Sequence, residues 1–246
     1  MPFVTHRGQR IHYTVEGAGP LVVFQHGLLS NAESWKQTGF VDALTDRFRV
    51  ACVDSLGHGQ SDKPADPALY AQQQRAGDIV AVIDDLGAER AHLVGYSMGG
   101  WMAVGVAKHH PERLASLTVG GWDLVRGIEA ARGAYQAAGV MTFDQLIAGA
   151  RSMAPMLVEW VTPEVEPGLR ACWDALPQLD GAEAAVLGLP EPVLLWDGKD
   201  DPYHDSMQAF AAAHDLKFLS TPGDHIGAIM VHRAEGARGL RAFLEA

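Results

Sequence analysis

Short apolar runs, each bounded by turn residues, alternate along the chain with longer stretches of helical periodicity, and few folds accommodate that alternation. Residues 10–15 (Arg-Ile-His-Tyr-Thr-Val) alternate as a half-buried strand does, and Gly17-Ala18-Gly19-Pro20 then turns the chain. Residues 21–24 (Leu-Val-Val-Phe) are apolar without a break, the pattern of a strand covered on both faces. Further strand-like runs occupy 49–53, 91–94, 114–119, 192–196 and 217–219. Between them, 70–86 reads as a helix, with Ile79, Val82, Ile83 and Leu86 at helical spacing and Gly87 as a stop. Residues 98–109 read as a second helix, closed by Pro111. Strands alternating with helices predict an α/β fold: a mostly parallel sheet with helices on both faces.

The alternation fails between 123 and 189. That stretch is rich in Ala, Gly and Met, carries isolated prolines and has no strand-like run. It is longer than an ordinary connection and reads as a small helical cap inserted into one core made of 1–122 and 190–246. Nineteen Lys and Arg against 30 Asp and Glu give a formal charge of −11, which argues against nucleic acid, whose phosphates call for clustered cations. Cys52 and Cys172 allow at most one disulfide, and Cys52 lies in a strand-like run, so buried free thiols are expected. No apolar stretch approaches the ~20 residues of a membrane-spanning helix, and the first residues lack the apolar centre of a signal peptide. A cytoplasmic protein without membrane association is expected; oligomeric state is not legible.

The chemistry gathers around Gly95-Tyr96-Ser97-Met98-Gly99, a G-x-S-x-G pattern between a strand-like run and a helix. A serine on a sharp strand-to-helix turn presents its hydroxyl outward, and glycines on either side let strand and helix cross closely. A serine hydroxyl needs a base to become a nucleophile, and the base needs an acid to orient it. Of 11 histidines, His225 lies in a polar loop after the last strand, at the carboxyl edge where open α/β sheets form crevices. His6, His12, His109, His110, His214 and His232 sit where surface or packing roles suffice. For the acid, the loop after the penultimate strand offers Asp197, Asp200 and Asp201. Asp201 is far enough from Gly198 to turn back towards an imidazole; Asp200, Asp197 and, more remotely, Asp123 remain open.

These pieces together resemble the α/β-hydrolase fold superfamily, and its serine carboxylesterases in particular. The likeness covers about 10–122 and 190–246. It rests on Phe24-Gln25-His26-Gly27-Leu28, on the turn Asp54-Ser55-Leu56-Gly57-His58-Gly59-Gln60-Ser61, on the G-x-S-x-G turn, on Gly198-Lys199-Asp200-Asp201 and on Gly223-Asp224-His225. The order Ser97, Asp201, His225 is that superfamily's triad order, and its G-x-x-D pattern implies Asp201 as the acid. The resemblance also implies an oxyanion hole made by the backbone N–H groups of Leu28 and Met98, with His26, Asp54 and His58 structural. Relatives that open epoxides or cleave carbon–halogen bonds carry aspartate at the nucleophile position, so Ser97 argues against both.

Leu28, Leu29, Trp35, Tyr96, Met98, Trp122 and Ile226 flank these positions and are candidates for an apolar acyl pocket. Met141, Phe143, Leu146, Met153, Met156, Leu157 and Trp160 are candidates to cover it. The expected reaction is hydrolysis of a small, fairly apolar carboxylic ester through an acyl-enzyme, with no cofactor and no metal. The same triad serves two alternatives, a carbon–carbon bond hydrolase and an enol-lactonase, for which Arg126, Arg132, Arg151 and Arg170 are candidate carboxylate partners. A ligand receptor with slow hydrolysis is a rival from another class.

Overall fold

The computed structural model describes residues 2–137, 139, 142–153, 158–177 and 179–246. Eight strands form one sheet: β1 Phe3–His6, β2 Gln9–Glu16, β3 Leu21–Gln25, β4 Arg49–Val53, β5 Ala91–Tyr96, β6 Leu114–Gly120, β7 Val193–Gly198 and β8 Lys217–Thr221. Their order is β1-β2-β4-β3-β5-β6-β7-β8. The strands from β4 to β8 pair in parallel, and β1 and β2 close one edge antiparallel. Strand β1 is absent from the sequence reading. It is four residues long, none of them buried, and joins β2 through the two-residue turn Arg7-Gly8, both at positive φ.

Side-chain alternation divides the core into two layers. Val23, Ala51 and Leu93 face helices α2 (Gln72–Asp85) and α3 (Met98–His109), whereas Val22, Phe24, Val50, Cys52 and Val94 face the opposite layer. There α1 (Glu33–Gln37) contributes Trp35, and α10 (Arg233–Leu244) contributes Leu240 and Phe243. Each such side chain is worth roughly 1.5–3 kcal/mol when fully buried. Helix α8 (His204–Ala213) follows β7, and the single turn α9 (Gly227–Met230) follows β8. Cys52 and Cys172 are buried free thiols. Among the described residues no helix is long and apolar enough to cross a membrane.

Between β6 and β7 the chain forms α4 (Arg132–Ala137), α5 (Phe143–Met153), α6 (Glu166–Ala175) and α7 (Ala182–Leu187). Phe143, Ile147, Val158, Val161 and Leu169 make a small cluster of their own, against which Leu28, Leu29 and Trp160 pack. This portion therefore lies on the loop that follows β3. The sequence pattern groups α7 with the insertion, but Ala182 and Val186 join the main core layer and α7 packs on α3.

Candidate active site

All the parallel strands deliver their C-terminal ends to one edge of the sheet, and the chemistry collects there. At the end of β5 the backbone turns at Ser97 with φ 58° and ψ −122°, a conformation L-residues rarely adopt. The turn is held on both sides: Ser97 N–H donates to the Gly120 carbonyl (2.8 Å), and Trp101 N–H donates to the Ser97 carbonyl (3.1 Å). Only glycine fits around it. A Cβ at Gly99 would lie 2.0 Å from the Gln25 carbonyl oxygen, and one at Gly95 would lie 2.1 Å from that of Gly99.

Ser97 Oγ lies 3.0 Å from His225 Nε2, and His225 Nδ1 lies 2.7 Å from Asp201 Oδ2. With Nδ1 protonated, the imidazole donates to the carboxylate and accepts from the serine hydroxyl; the network itself selects this tautomer. The carboxylate has no exposed surface and also accepts the N–H of Tyr203 through Oδ1 (3.1 Å). Two backbone bonds decide which aspartate turns inward. Asp200 N–H donates to the Gly223 carbonyl, which joins the loop of the acid to the loop of the histidine, and the Asp200 side chain is exposed. Asp201 N–H donates back to the Gly198 carbonyl (3.0 Å), tightening the turn, and its side chain is buried. Asp197 ends β7 in a buried position; burial, then the charge of Asp201, pushes its carboxyl well above the usual range. Among the described residues its Oδ1 has no hydrogen-bond partner. Asp123 is also buried, and its Oδ1 accepts the amides of Val125 and Arg126.

The loop after β3 reaches Ser97 from the other side. A Cβ at Gly27 would lie 3.2 Å from Ser97 Cβ, so the following Leu28 amide enters this region. Met98 opens α3, where first-turn N–H groups lack intrahelical acceptors. His26 fixes the loop: its Nδ1 lies 2.8 Å from the Gly27 carbonyl oxygen, and its Nε2 accepts the N–H of Ser55 (3.0 Å). Burial lowers its pKa to about 4, against the opposing pull of Asp54, so it is neutral at pH 7. Asp54 in turn ties the same region together, accepting from the amides of Ala32 (2.7 Å) and Gln60 (2.9 Å) and pairing with His12 Nδ1 (2.8 Å).

The pocket candidates separate. Leu28 and Leu29 are partly buried against the α5–α6 cluster, and Ile226 is exposed beside His225. Tyr96 does not line a surface. It is buried, and its hydroxyl donates to the His225 carbonyl (2.8 Å) while its ring lies 5.3 Å from the imidazole. Trp122 is buried beside Tyr203. Trp35 is a correction: at 1% exposure it packs against Phe24 (4.5 Å) and Phe40 (5.3 Å) in the α1–α10 layer, because that layer needs a large ring under β3. Among the covering candidates, Phe143 is buried and Leu146 and Trp160 are partly buried. Met141, Met156 and Leu157, and the side chains of Met153 and Arg132, lie outside the described residues. Arg170 is engaged by Asp144 (2.5 Å) and Glu166 (2.9 Å), and Arg126 and Arg151 are exposed.

Two features escape the sequence reading. The positive φ of Gly121 brings its bare backbone under the imidazole, where a Cβ would stand 2.8 Å from His225 Cε1. Arg75 is buried without exposure in α2. Its spacing to Ile79 and Ile83 marks it as a member of the buried stripe, a signal the sequence does carry.

A family model described as alpha/beta hydrolase fold matches residues 20–125. The chain is 33% identical over 113 residues to a putative 2-succinyl-6-hydroxy-2,4-cyclohexadiene-1-carboxylate synthase of Bacillus subtilis, a match spanning 44% of this chain and 40% of that protein. It is 36% identical over 116 residues to epoxide hydrolase B of Mycobacterium tuberculosis, spanning 45% of this chain and 32% of that one. The chain thus matches less than half the length of these curated relatives. The crystal structure of an enol-lactonase from Burkholderia xenovorans superposes with a TM-score of 0.78 over 100% of both chains at 22% identity, a likeness of fold.

Proposed function

We propose that this chain, a member of the α/β-hydrolase fold superfamily, is a serine hydrolase that cleaves carboxylic esters of small substrates through an acyl-enzyme on Ser97. The observation that carries the reading is the unbroken chain from Ser97 Oγ to His225 to a fully buried Asp201 carboxylate, at 3.0 and 2.7 Å.

His225 Nε2 takes the serine proton as Oγ attacks the ester carbonyl. The imidazolium so formed is stabilised by Asp201, whose carboxylate also holds the ring in one tautomer. The oxyanion of the tetrahedral intermediate is received by the N–H groups of Leu28 and Met98; in enzymes where a single such donor has been removed, the loss is about 3–4 kcal/mol. His225 returns the proton to the leaving alcohol, then takes one from water, whose hydroxide releases the acid and restores Ser97. A serine at the turn gives an acyl ester that water can open at the carbonyl, which favours this route over epoxide opening despite the partial likeness to an epoxide hydrolase. Leu28, Leu29 and the α5–α6 cluster provide the apolar surround.

A panel of p-nitrophenyl esters of increasing acyl length, together with a lactone and a vinylogous diketo acid, tests the reading. Turnover of short esters with an initial burst of nitrophenol is expected. Turnover of the lactone or the diketo acid with no ester activity would transfer the same triad to one of those reactions.

A further inference from the structure

His225 sits on a loop that burial does not hold. Pro222, Asp224 and Ile226 are exposed, and the His225 side chain itself is 23% exposed. The loop leaves β8 at Thr221, whose hydroxyl accepts from the Trp196 indole (3.0 Å) and whose carbonyl accepts the Lys199 amide (2.7 Å). The Gly223 carbonyl accepts the Asp200 amide (3.0 Å). Asp224 accepts the amides of Ile226 (3.2 Å) and Gly227 (2.7 Å), bonds made within the loop and the turn that follows it. Residue 225 is reached from a different element: the Tyr96 hydroxyl donates to the His225 carbonyl at 2.8 Å, across 129 residues of sequence.

Tyr96 suits that task because its own place is fixed. It ends β5, stands in register with Gly120 of β6, and is followed directly by Ser97. Its ring is buried, 5.0 Å from that of Trp196 and 5.3 Å from the imidazole. Two bare glycines make the space: a Cβ at Gly120 would stand 2.6 Å from the ring's Cδ2, and one at Gly121 would stand 2.9 Å from its Cε1. The Gly121 position also lies 2.8 Å from His225 Cε1, so one stretch of backbone supports both rings. The hydroxyl remains a donor, because burial, and then the charges of Asp201, Asp197 and Asp224, push its pKa well above the ordinary value. The carbonyl carbon it restrains is bonded to the Cα that carries the imidazole. Gripping that carbonyl therefore restrains the direction in which the ring leaves the backbone towards Ser97 Oγ.

We propose that Tyr96 is a positioning residue for His225: its hydroxyl is a strut, built on the residue that precedes Ser97, which holds the histidine loop where proton transfer to and from Ser97 requires it. The proposal deepens the ester-hydrolase reading and rests on it. The role belongs to the hydroxyl, since phenylalanine would supply the same ring packing. Without the hydroxyl the His225 carbonyl turns to water, and both imidazole bonds, 3.0 Å to Ser97 and 2.7 Å to Asp201, lose a common anchor. A misplacement of about 1 Å in an active site costs up to ~10²-fold in rate. A loop that still visits the productive geometry part of the time should cost less, about 10-fold.

Tyr96→Phe is expected to lower kcat for p-nitrophenyl acetate about 10-fold with KM unchanged, the pattern of an interaction realised only as the reaction proceeds. Ile83→Val, a buried change in α2, should lower the Tm comparably and leave kcat as it is. Tyr96→Phe placed on Asp201→Asn should add little to the loss, because both changes act through the orientation of one imidazole; full multiplication of the two losses would overturn the strut. p-Aminophenylalanine at position 96 keeps an N–H donor where the hydroxyl stood, and p-fluorophenylalanine fills the same space without a donor. The first should hold kcat near wild type and the second should match Tyr96→Phe; equal losses would overturn the proposal, and this pair decides the matter if Tyr96→Phe does not fold. Proton NMR reads the same hold without turnover. The downfield resonance of the His225 Nδ1–H bound to Asp201 should broaden by exchange with water in Tyr96→Phe and stay sharp in Ile83→Val. That broadening in a protein that turns over no ester supports the strut, and the ester reading alone fails. Ester turnover at the wild-type kcat by Tyr96→Phe, with the resonance unaltered, overturns the strut and leaves the ester reading standing.

Discussion

Lowering the pH from 6.5 to 4 should cost this protein stability through one buried imidazole. His26 is held near pKa 4 in the folded chain, chiefly by burial, against 6.5 for an ordinary histidine. Within that window the unfolded chain carries a proton on residue 26 that the folded chain refuses, so the unfolded state binds more protons and stability falls as pH falls. Each unit of difference is worth about 1.4 kcal/mol, which over this window gives roughly 3 kcal/mol. The structure gives the reason: one ring nitrogen is spent on the Gly27 carbonyl and the other must stay bare to accept the Ser55 amide. His58, whose pKa burial lowers well below the ordinary value, contributes with the same sign. Urea unfolding of wild type and His26→Gln at half-unit steps between pH 4 and 6.5 measures the effect. The variant's loss of stability across the window should be smaller by about 3 kcal/mol, whatever its absolute stability. Parallel curves for the two proteins would refute a neutral, buried His26.

Asp201→Asn should slow kcat by up to ~10⁴, the scale seen when an imidazole loses its orienting carboxylate, whereas Asp200→Asn should cost far less because that side chain is exposed; steady-state kinetics on a p-nitrophenyl ester separates them. Gly99→Ala should destabilise the fold by about 1–3 kcal/mol or more, since its Cβ would sit 2.0 Å from the Gln25 carbonyl oxygen; a thermal melt reads it. EDTA should leave turnover unchanged, because every proton in the proposed cycle passes through His225; loss of rate restored by Zn²⁺ would contradict it.

The strand–helix alternation is legible because the inner strands are covered on both faces: β3 is buried at all five positions and so reads as an unbroken apolar run. The strand–turn–helix at Ser97 is legible for a steric reason, as Gly95 and Gly99 stand where no other residue fits. Strand β1 is not legible, being short and unburied, with hydrogen-bonding to β2 as its main support. Composition cannot separate Asp200 from Asp201; two backbone hydrogen bonds to different carbonyls do so. Trp35 misleads because a core layer and an acyl pocket both call for a large ring, and only the packing on Phe24 and Phe40 tells them apart. Arg75 carries a readable signal, a cation on the buried stripe of α2, but that no carboxylate pairs with it among the described residues appears only in three dimensions.

The central claim is that Ser97 is the nucleophile, and a fluorophosphonate tests it most directly. Incubated with the wild-type protein and followed by peptide mass spectrometry, the reagent should add once per chain, on the peptide containing Ser97, and abolish ester turnover in step. Ser97→Ala should neither take up the label nor turn over ester while keeping the wild-type Tm within a few degrees. Stoichiometric labelling at another residue, or ester turnover retained by the folded alanine variant, would contradict the account.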